Sequence, residues 1–172
     1  LRWWQGVLLR LAGLLRITRN ACWLRRLSYG WMPVGKKVSI VGGGLVGLEL
    51  AEFLAERGRQ VTVIEEGEKF GIELAIVRRW RVLEELQQLG VVMINKTRVS
   101  SIKANSLVLH GAGDEVAIDA DTVILASGAT GDLSLADLSR ELGFETHVAG
   151  DCAGLGYIEG AMHSAHAIGR AL

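Results

Sequence analysis

The stretch "KKVSIVGGGLVGLELAEFLAERGRQVTVIEEG", residues 36–67, constrains the fold more than any other part of the chain. Gly42, Gly44 and Gly47 stand at the spacing G-x-G-x-x-G between two β-branched runs, and paired glutamates follow the second run. Val38 to Val41 is a short, largely apolar run suited to a buried strand, and Val61 to Ile64 is a second. Leu45 to Arg57 repeats apolar residues at helical intervals until Gly58 stops it. Strand, glycine turn, helix and strand within about thirty residues predict a βαβ unit, whose parallel strands require covered faces.

Bare backbone at this place has a chemical use. The first glycine permits a tight turn, the second lets a pyrophosphate approach, and the third lets the helix pack closely on the strand. The predicted cradle is Gly42, Gly43, Gly44, Leu45, Val46 and Gly47, where unpaired N–H groups and the positive end of the helix dipole face the phosphates. Glu65 ends the second strand about twenty residues on, where a carboxylate accepts hydrogen bonds from both hydroxyls of an adenosine ribose. The same carboxylate repels a 2′-phosphate, and no arginine follows in "EEGEK". The expectation is therefore NAD(H) in preference to NADP(H), with Lys69 the nearby cation. G-x-G-x-x-G alone is weak; strand, helix, second strand and terminal acid together are not. Glu66 reads as a solvated neighbour, while Glu49 and Glu52 are either functional carboxylates or an exposed helix face.

Further along, "ELAIVRRWRVLEELQQLG" predicts a long helix closed by Gly90, with Ile76, Trp80 and Leu83 toward a core and Arg78, Arg79 and Arg81 read either as solvated helix charge or as meeting a phosphate or a partner domain. Val91 to Ile94 is another strand. Val99 to Ile102, Leu107 to Leu109, Val116 to Ile118 and Thr122 to Leu125 then read as a β-meander. Near the end, Val148 to Asp151 places a carboxylate at a strand's end, and Ile158, Ala161, Met162, Ala165 and Ile168 form a stripe expected to be buried. Before the βαβ unit, Trp3, Trp4, Val7, Leu8, Leu11, Leu14 and Leu15 share one helical face opposite Arg2, Arg10 and Arg16, and a short helix is predicted over Asn20 to Leu27. "GWMPVGKK", with the only proline, marks the boundary.

Of the 172 residues, the first 48 hold six arginines and two lysines with no acid, so a net charge of zero conceals a basic arm and an acidic remainder. Overall neutrality gives no reason to expect a nucleic-acid partner. Cys22 and Cys152 form no C-x-x-C, and His163 and His166 are not four apart, so neither a disulfide framework nor a metal site is expected. Arg10 interrupts the opening apolar run and no cleavage site follows, which points to a cytoplasmic location. A chain opening on Leu1 is expected to be a piece of something longer.

From Lys36 onward the chain resembles the flavoprotein oxidoreductases with two dinucleotide-binding domains, in which an NAD(P)H domain is inserted into an FAD domain. "GGGLVGLELAEFLAERG" and "VRRWRVLEELQQLGV" are similar to the C-terminal region of 2,4-dienoyl-CoA reductases and related NADH:flavin oxidoreductases of the old yellow enzyme class. The resemblance implies an α/β fold, with a Rossmann-like NAD(P)-binding domain and β-meander over 35–128 and the closing part of an FAD-binding domain over 129–172; residues 1–34, ahead of it, read as an amphipathic helical arm or interdomain segment. By the same match "DTVILASGA", including Gly128, leads back to the FAD domain. "THVAGDCAGLGYIEGAMHSAHAIGRAL" is the closing flavin motif, with Gly150 and Asp151 at the ribityl or phosphate region of FAD and the helix near Tyr157 directed at it. On composition alone "GDCAG" reads equally well as a simple turn.

The resemblance also implies that the first FAD fingerprint and the flavin-binding barrel belong to missing upstream domains of a parent protein. It names no acid, base or nucleophile here, because hydride passes directly between nicotinamide and flavin. Three readings stay open: the NADH-binding part of a flavin-dependent oxidoreductase, a non-catalytic NAD-binding module, and a peripheral membrane dehydrogenase anchored by the Trp3 and Trp4 helix. An arm packed on a missing domain explains that helix as well.

Overall fold

The computed structural model describes Arg10, Gly13 and residues 21–111 and 115–172. The expected helix through Trp3, Trp4 and Leu15 lies outside these residues. The chain divides into two compact units, Leu1–Ser127 and Gly128–Leu172.

In the first unit, helix α1 (Ala21–Gly30) runs three residues past its expected end at Leu27, and the Trp31 N–H closes it on the Leu27 carbonyl at 2.8 Å. Then come β1 (Lys37–Val41), α2 (Leu45–Ala55), β2 (Gln60–Ile64), α3 (Ile76–Gln88) and β3 (Val92–Ile94). The meander follows as β4 (Arg98–Ile102), β5 (Ser106–His110) and β6 (Val116–Asp119), and β7 (Thr122–Leu125) closes the unit. The predicted βαβ unit forms in register, with Val38 beside Val61 and Val41 beside Ile64 in parallel.

The principal sheet has the order β3-β2-β1-β7, and all its pairings are parallel. Both faces are covered, as parallel strands demand. On one, Val38, Ile40, Val61 and Val63 pack against Leu48, Ala51 and Leu54 of α2 and Val82 and Leu86 of α3. A second cluster joins Ile64 to Leu107 and Leu109 of the meander. Burying one such leucine stabilises the fold by about 1.5–3 kcal/mol.

Two expectations for this unit are corrected. Thr122 to Leu125 is not a meander strand: β4, β5 and β6 form a separate three-stranded antiparallel sheet, while β7 pairs parallel with β1. Asp121 redirects it, since its carboxylate accepts the Lys36 and Lys37 N–H groups at 3.0 and 2.8 Å and the Thr122 hydroxyl accepts the Gly35 N–H at 3.0 Å. In α3 the helical phase differs from the one expected: Val82 and Leu86 are buried, whereas Ile76 and Trp80 are 81% and 77% exposed. Residues four apart form the inward ridge, and 76 and 80 lie off it.

The second unit contains α4 (Ser134–Glu141) and α5 (Tyr157–Ala171), neither with a buried residue. The expected buried stripe of α5 is thereby corrected, with Ile158 84% exposed. Its apolar residues do share helical spacing, but no second layer covers them among the described residues. No helix of the described residues is long and apolar enough to cross a membrane.

Candidate functional site

The glycine turn lies at the carboxyl ends of β1, β2 and β7, beside the point where strand order reverses, the customary place for a ligand in an open α/β sheet. The Gly42 N–H donates to the Ile64 carbonyl at 2.8 Å, and the Ala126 N–H donates to the Val41 carbonyl at 2.7 Å. Three strand ends are thus tied together around the turn.

Each glycine of the motif has a separate steric cause. Gly42 holds φ at 111°, and a Cβ there would overlap the Ala126 carbonyl. At Gly47 a Cβ would overlap the Gly42 carbonyl, so the first turn of α2 closes onto the end of β1 only because that hydrogen is not a carbon. Gly44 begins α2, and no side chain caps the helix there. Its Leu45, Val46 and Gly47 N–H groups form the open positive end of the dipole. Gly43, the variable position of the motif, is equally confined, since a Cβ there would strike the Phe70 ring.

Glu65, just past the end of β2, reaches the glycine turn. Its Oε2 accepts the Gly43 N–H at 2.6 Å and its Oε1 accepts the Gly67 N–H at 2.7 Å. The carboxylate is thereby fixed in orientation while each oxygen retains a lone pair for a ribose hydroxyl. Beside it lies a cleft of 330 Å³ whose walls include Gly43, Gly44, Glu65, Glu68, Lys69 and Glu73.

The neighbouring acids divide. Glu66 pairs with Arg98 at 3.3 Å and Glu49 with Arg78 at 3.1 Å, all four side chains well exposed, which favours the solvated reading of both glutamates. Burial pushes the Glu52 carboxyl above its ordinary range, helped by the negative charges of Glu85, Glu56 and Glu49.

In the second unit, Gly128 has φ 105° with open space where a Cβ would be, and Gly150 has φ 82° and donates its N–H to the Ser164 hydroxyl at 3.0 Å. Asp151 Oδ1 accepts the Gly156 and Tyr157 N–H groups at 2.9 and 3.0 Å, closing the loop onto the start of α5. Tyr157 there adopts φ 55°, a left-handed conformation uncommon outside glycine. Among the described residues no group of three His, Cys, Asp or Glu is arranged to hold a metal.

Sequence reasoning did not foresee Phe70, Gly67 and Glu73 around the cradle. They lie in a segment without periodicity. The only local signal was the density of acids after β2.

Comparison with known proteins agrees with this geometry. The family described as pyridine nucleotide-disulphide oxidoreductase matches residues 13–152. A bilirubin reductase of Mediterraneibacter gnavus is 36% identical over 126 residues, 73% of this chain and 20% of that protein. An NADH oxidase of Thermoanaerobacter brockii is 30% identical over 132 residues, 75% of this chain and 20% of that protein. Among solved structures, a 2-naphthoyl-CoA reductase complex superposes with a TM-score of 0.73 at 28% identity, covering 81% of this chain and 22% of the other. The chain spans about a fifth of the length of each of these relatives.

Proposed function

Because the chain belongs to the pyridine nucleotide-disulphide oxidoreductase family, in which FAD and a pyridine nucleotide are used together, we propose that it is the NADH-binding part of a flavin-dependent oxidoreductase of the 2,4-dienoyl-CoA reductase type. The supporting observation is the Glu65 carboxylate, held across the glycine turn by the Gly43 and Gly67 N–H groups. It stands where an adenosine ribose would present its two hydroxyls and where a 2′-phosphate would meet a negative charge. The pyrophosphate suits Gly42 to Gly47, because α2 starts uncapped there and Gly44 offers bare backbone.

On this reading Gly128, Gly150 and Asp151 serve the flavin side. Asp151 keeps Oδ2 clear of hydrogen bonds among the described residues, so it suits a ribityl hydroxyl while Oδ1 holds the loop. When both dinucleotides are bound they supply hydride transfer from nicotinamide to flavin, and the protein's part is to bind and orient. The partners are further domains of a parent protein, without which the isolated chain is inactive as an enzyme. The relative named for reducing bilirubin suggests a conjugated organic acceptor.

Parallel fluorescence titrations with NADH and NADPH test the assignment. NADH is expected to bind tighter, Glu65→Gln to remove most of the preference, and Gly44→Val to weaken both nucleotides together. Equal or reversed affinities in the unsubstituted chain would remove the role of Glu65, and unimpaired binding by Gly44→Val would show the cradle to be elsewhere.

A further inference from the structure

We infer that Glu73 is an electrostatic gate on the phosphate cradle, an inference that rests on the dinucleotide site proposed above and adds a residue that sets its affinity. Its Oε1 lies 2.9 Å from the position a Cβ would take on Gly44, at the open start of α2 and within the cleft that Gly43, Gly44 and Glu65 line. The positive end of a helix dipole attracts a carboxylate as readily as a phosphate, so the side chain rests where the nucleotide's negative charge would come.

The backbone accounts for that placement. Gly71, at φ 59°, donates its N–H to the Gly43 carbonyl at 2.8 Å, and the Leu74 N–H closes the turn on the Gly71 carbonyl at 3.1 Å. Gly71 is confined between Leu48 and Leu74, and Phe70 lies against Gly43. The turn that carries Glu73 is therefore built on the glycine loop itself, and the side chain alone is left to move. Nothing holds it: among the described residues the Glu73 carboxylate has no ion-pair or hydrogen-bond partner, whereas Glu68 on the same cleft pairs with Lys96 at 2.9 Å. An entering pyrophosphate displaces the carboxylate by a rotamer change, at the cost of its attraction to the helix end and its repulsion by the phosphates.

Binding of NADH and of ADP to the full 172-residue chain and its Glu73→Gln and Glu68→Gln variants reads this directly. Glutamine keeps the size and removes the charge. Glu73→Gln is expected to bind both ligands about fivefold tighter, the scale of one exposed charge interaction, and Glu68→Gln to gain less. Glu73 is exposed, so its replacement leaves folding intact, which circular dichroism verifies. If the unsubstituted chain binds NADH and Glu73→Gln binds it equally or more weakly, the gate is refuted and the dinucleotide site stands. An equal gain in Glu68→Gln refutes it too, showing a diffuse field. Absence of NADH binding in every form refutes the site and the gate together.

Discussion

The glycines of the cradle in the first unit and those within helix α5 of the second obey different constraints. Around the cradle, a methyl group on Gly42 or Gly47 would overlap backbone carbonyls, and on Gly43 it would strike an aromatic ring. In α5, Gly160 and Gly169 have open space where a Cβ would lie. Burial follows the same division, with Ile40, Leu48, Val63 and Leu86 sealed in the first unit and no buried residue in either helix of the second. The sheet of the first unit is packed on both faces, and its cradle needs glycine for internal reasons. The second carries small residues and apolar faces of the kind a partner surface covers.

The widest separation between the two comes from adding one carbon. Gly47→Ala forces the start of α2 away from β1 and is expected to cost about 2–4 kcal/mol, seen as a lowered urea midpoint. A change under half of that would show the turn to be more yielding than its geometry implies.

A smaller effect concerns what joins α1 to the nucleotide fold. Arg57, 7% exposed, lies over the Phe53 ring at 3.6 Å and the Tyr29 ring at 4.6 Å, and donates from Nε to the Ser28 hydroxyl at 3.0 Å. Arg57→Met keeps most of the bulk and loses these contacts, with an expected cost of about 1–2 kcal/mol. Hydrogen exchange across residues 21–30 should accelerate while β1 and β2 stay protected.

In the second unit the sign reverses. Gly160→Ala meets no atom and gains helix propensity, so it is expected to stabilise α5 by about 0.5–1 kcal/mol, read as slower amide exchange along that helix. Destabilisation there would mean that the second unit is as tightly built as the first.

How much was legible in the residues follows the same physics. The βαβ unit, the roles of Gly42 and Gly47 and the place of Glu65 could be read, because local sterics and apolar runs determine them. The phase of α3 could not, since Ile76 and Trp80 are as apolar as Val82 and Leu86, and only packing on α2 and the sheet selects the ridge. Nor could the departure of β7 from the meander, which depends on Asp121 reaching Lys36 and Lys37 more than eighty residues away. Glu73 escaped notice because its place depends on a turn anchored to the Gly43 carbonyl rather than on any spacing.

The smallest effect is a pH dependence at the edge of the first unit. Lys37 and Asp119 pair at 2.8 Å; this hydrogen bond, and secondarily the opposite charge, raises the Lys37 pKa above its ordinary 10.5 and lowers that of Asp119 below its ordinary 3.8. Asp119 therefore contributes stability that is present above 3.8 and lost as pH falls through its lowered value. Lys37 contributes stability that is present below 10.5 and lost as pH rises through its raised value. Both groups are exposed, so Lys37→Met should flatten the acid and alkaline ends of the stability profile only slightly. A large change near neutral pH would contradict the pairing as its source.

The difference between the units is tested most directly by titrating the purified 172-residue chain with NADH and FAD side by side and reading the stoichiometry retained after gel filtration. The chain carries a single G-x-G-x-x-G, at Gly42 to Gly47, and the account predicts that NADH saturates one site per chain while FAD is not retained. A yellow chain that holds one FAD and fails to bind NADH would contradict it, because the dinucleotide retained would then be the flavin and not the nicotinamide.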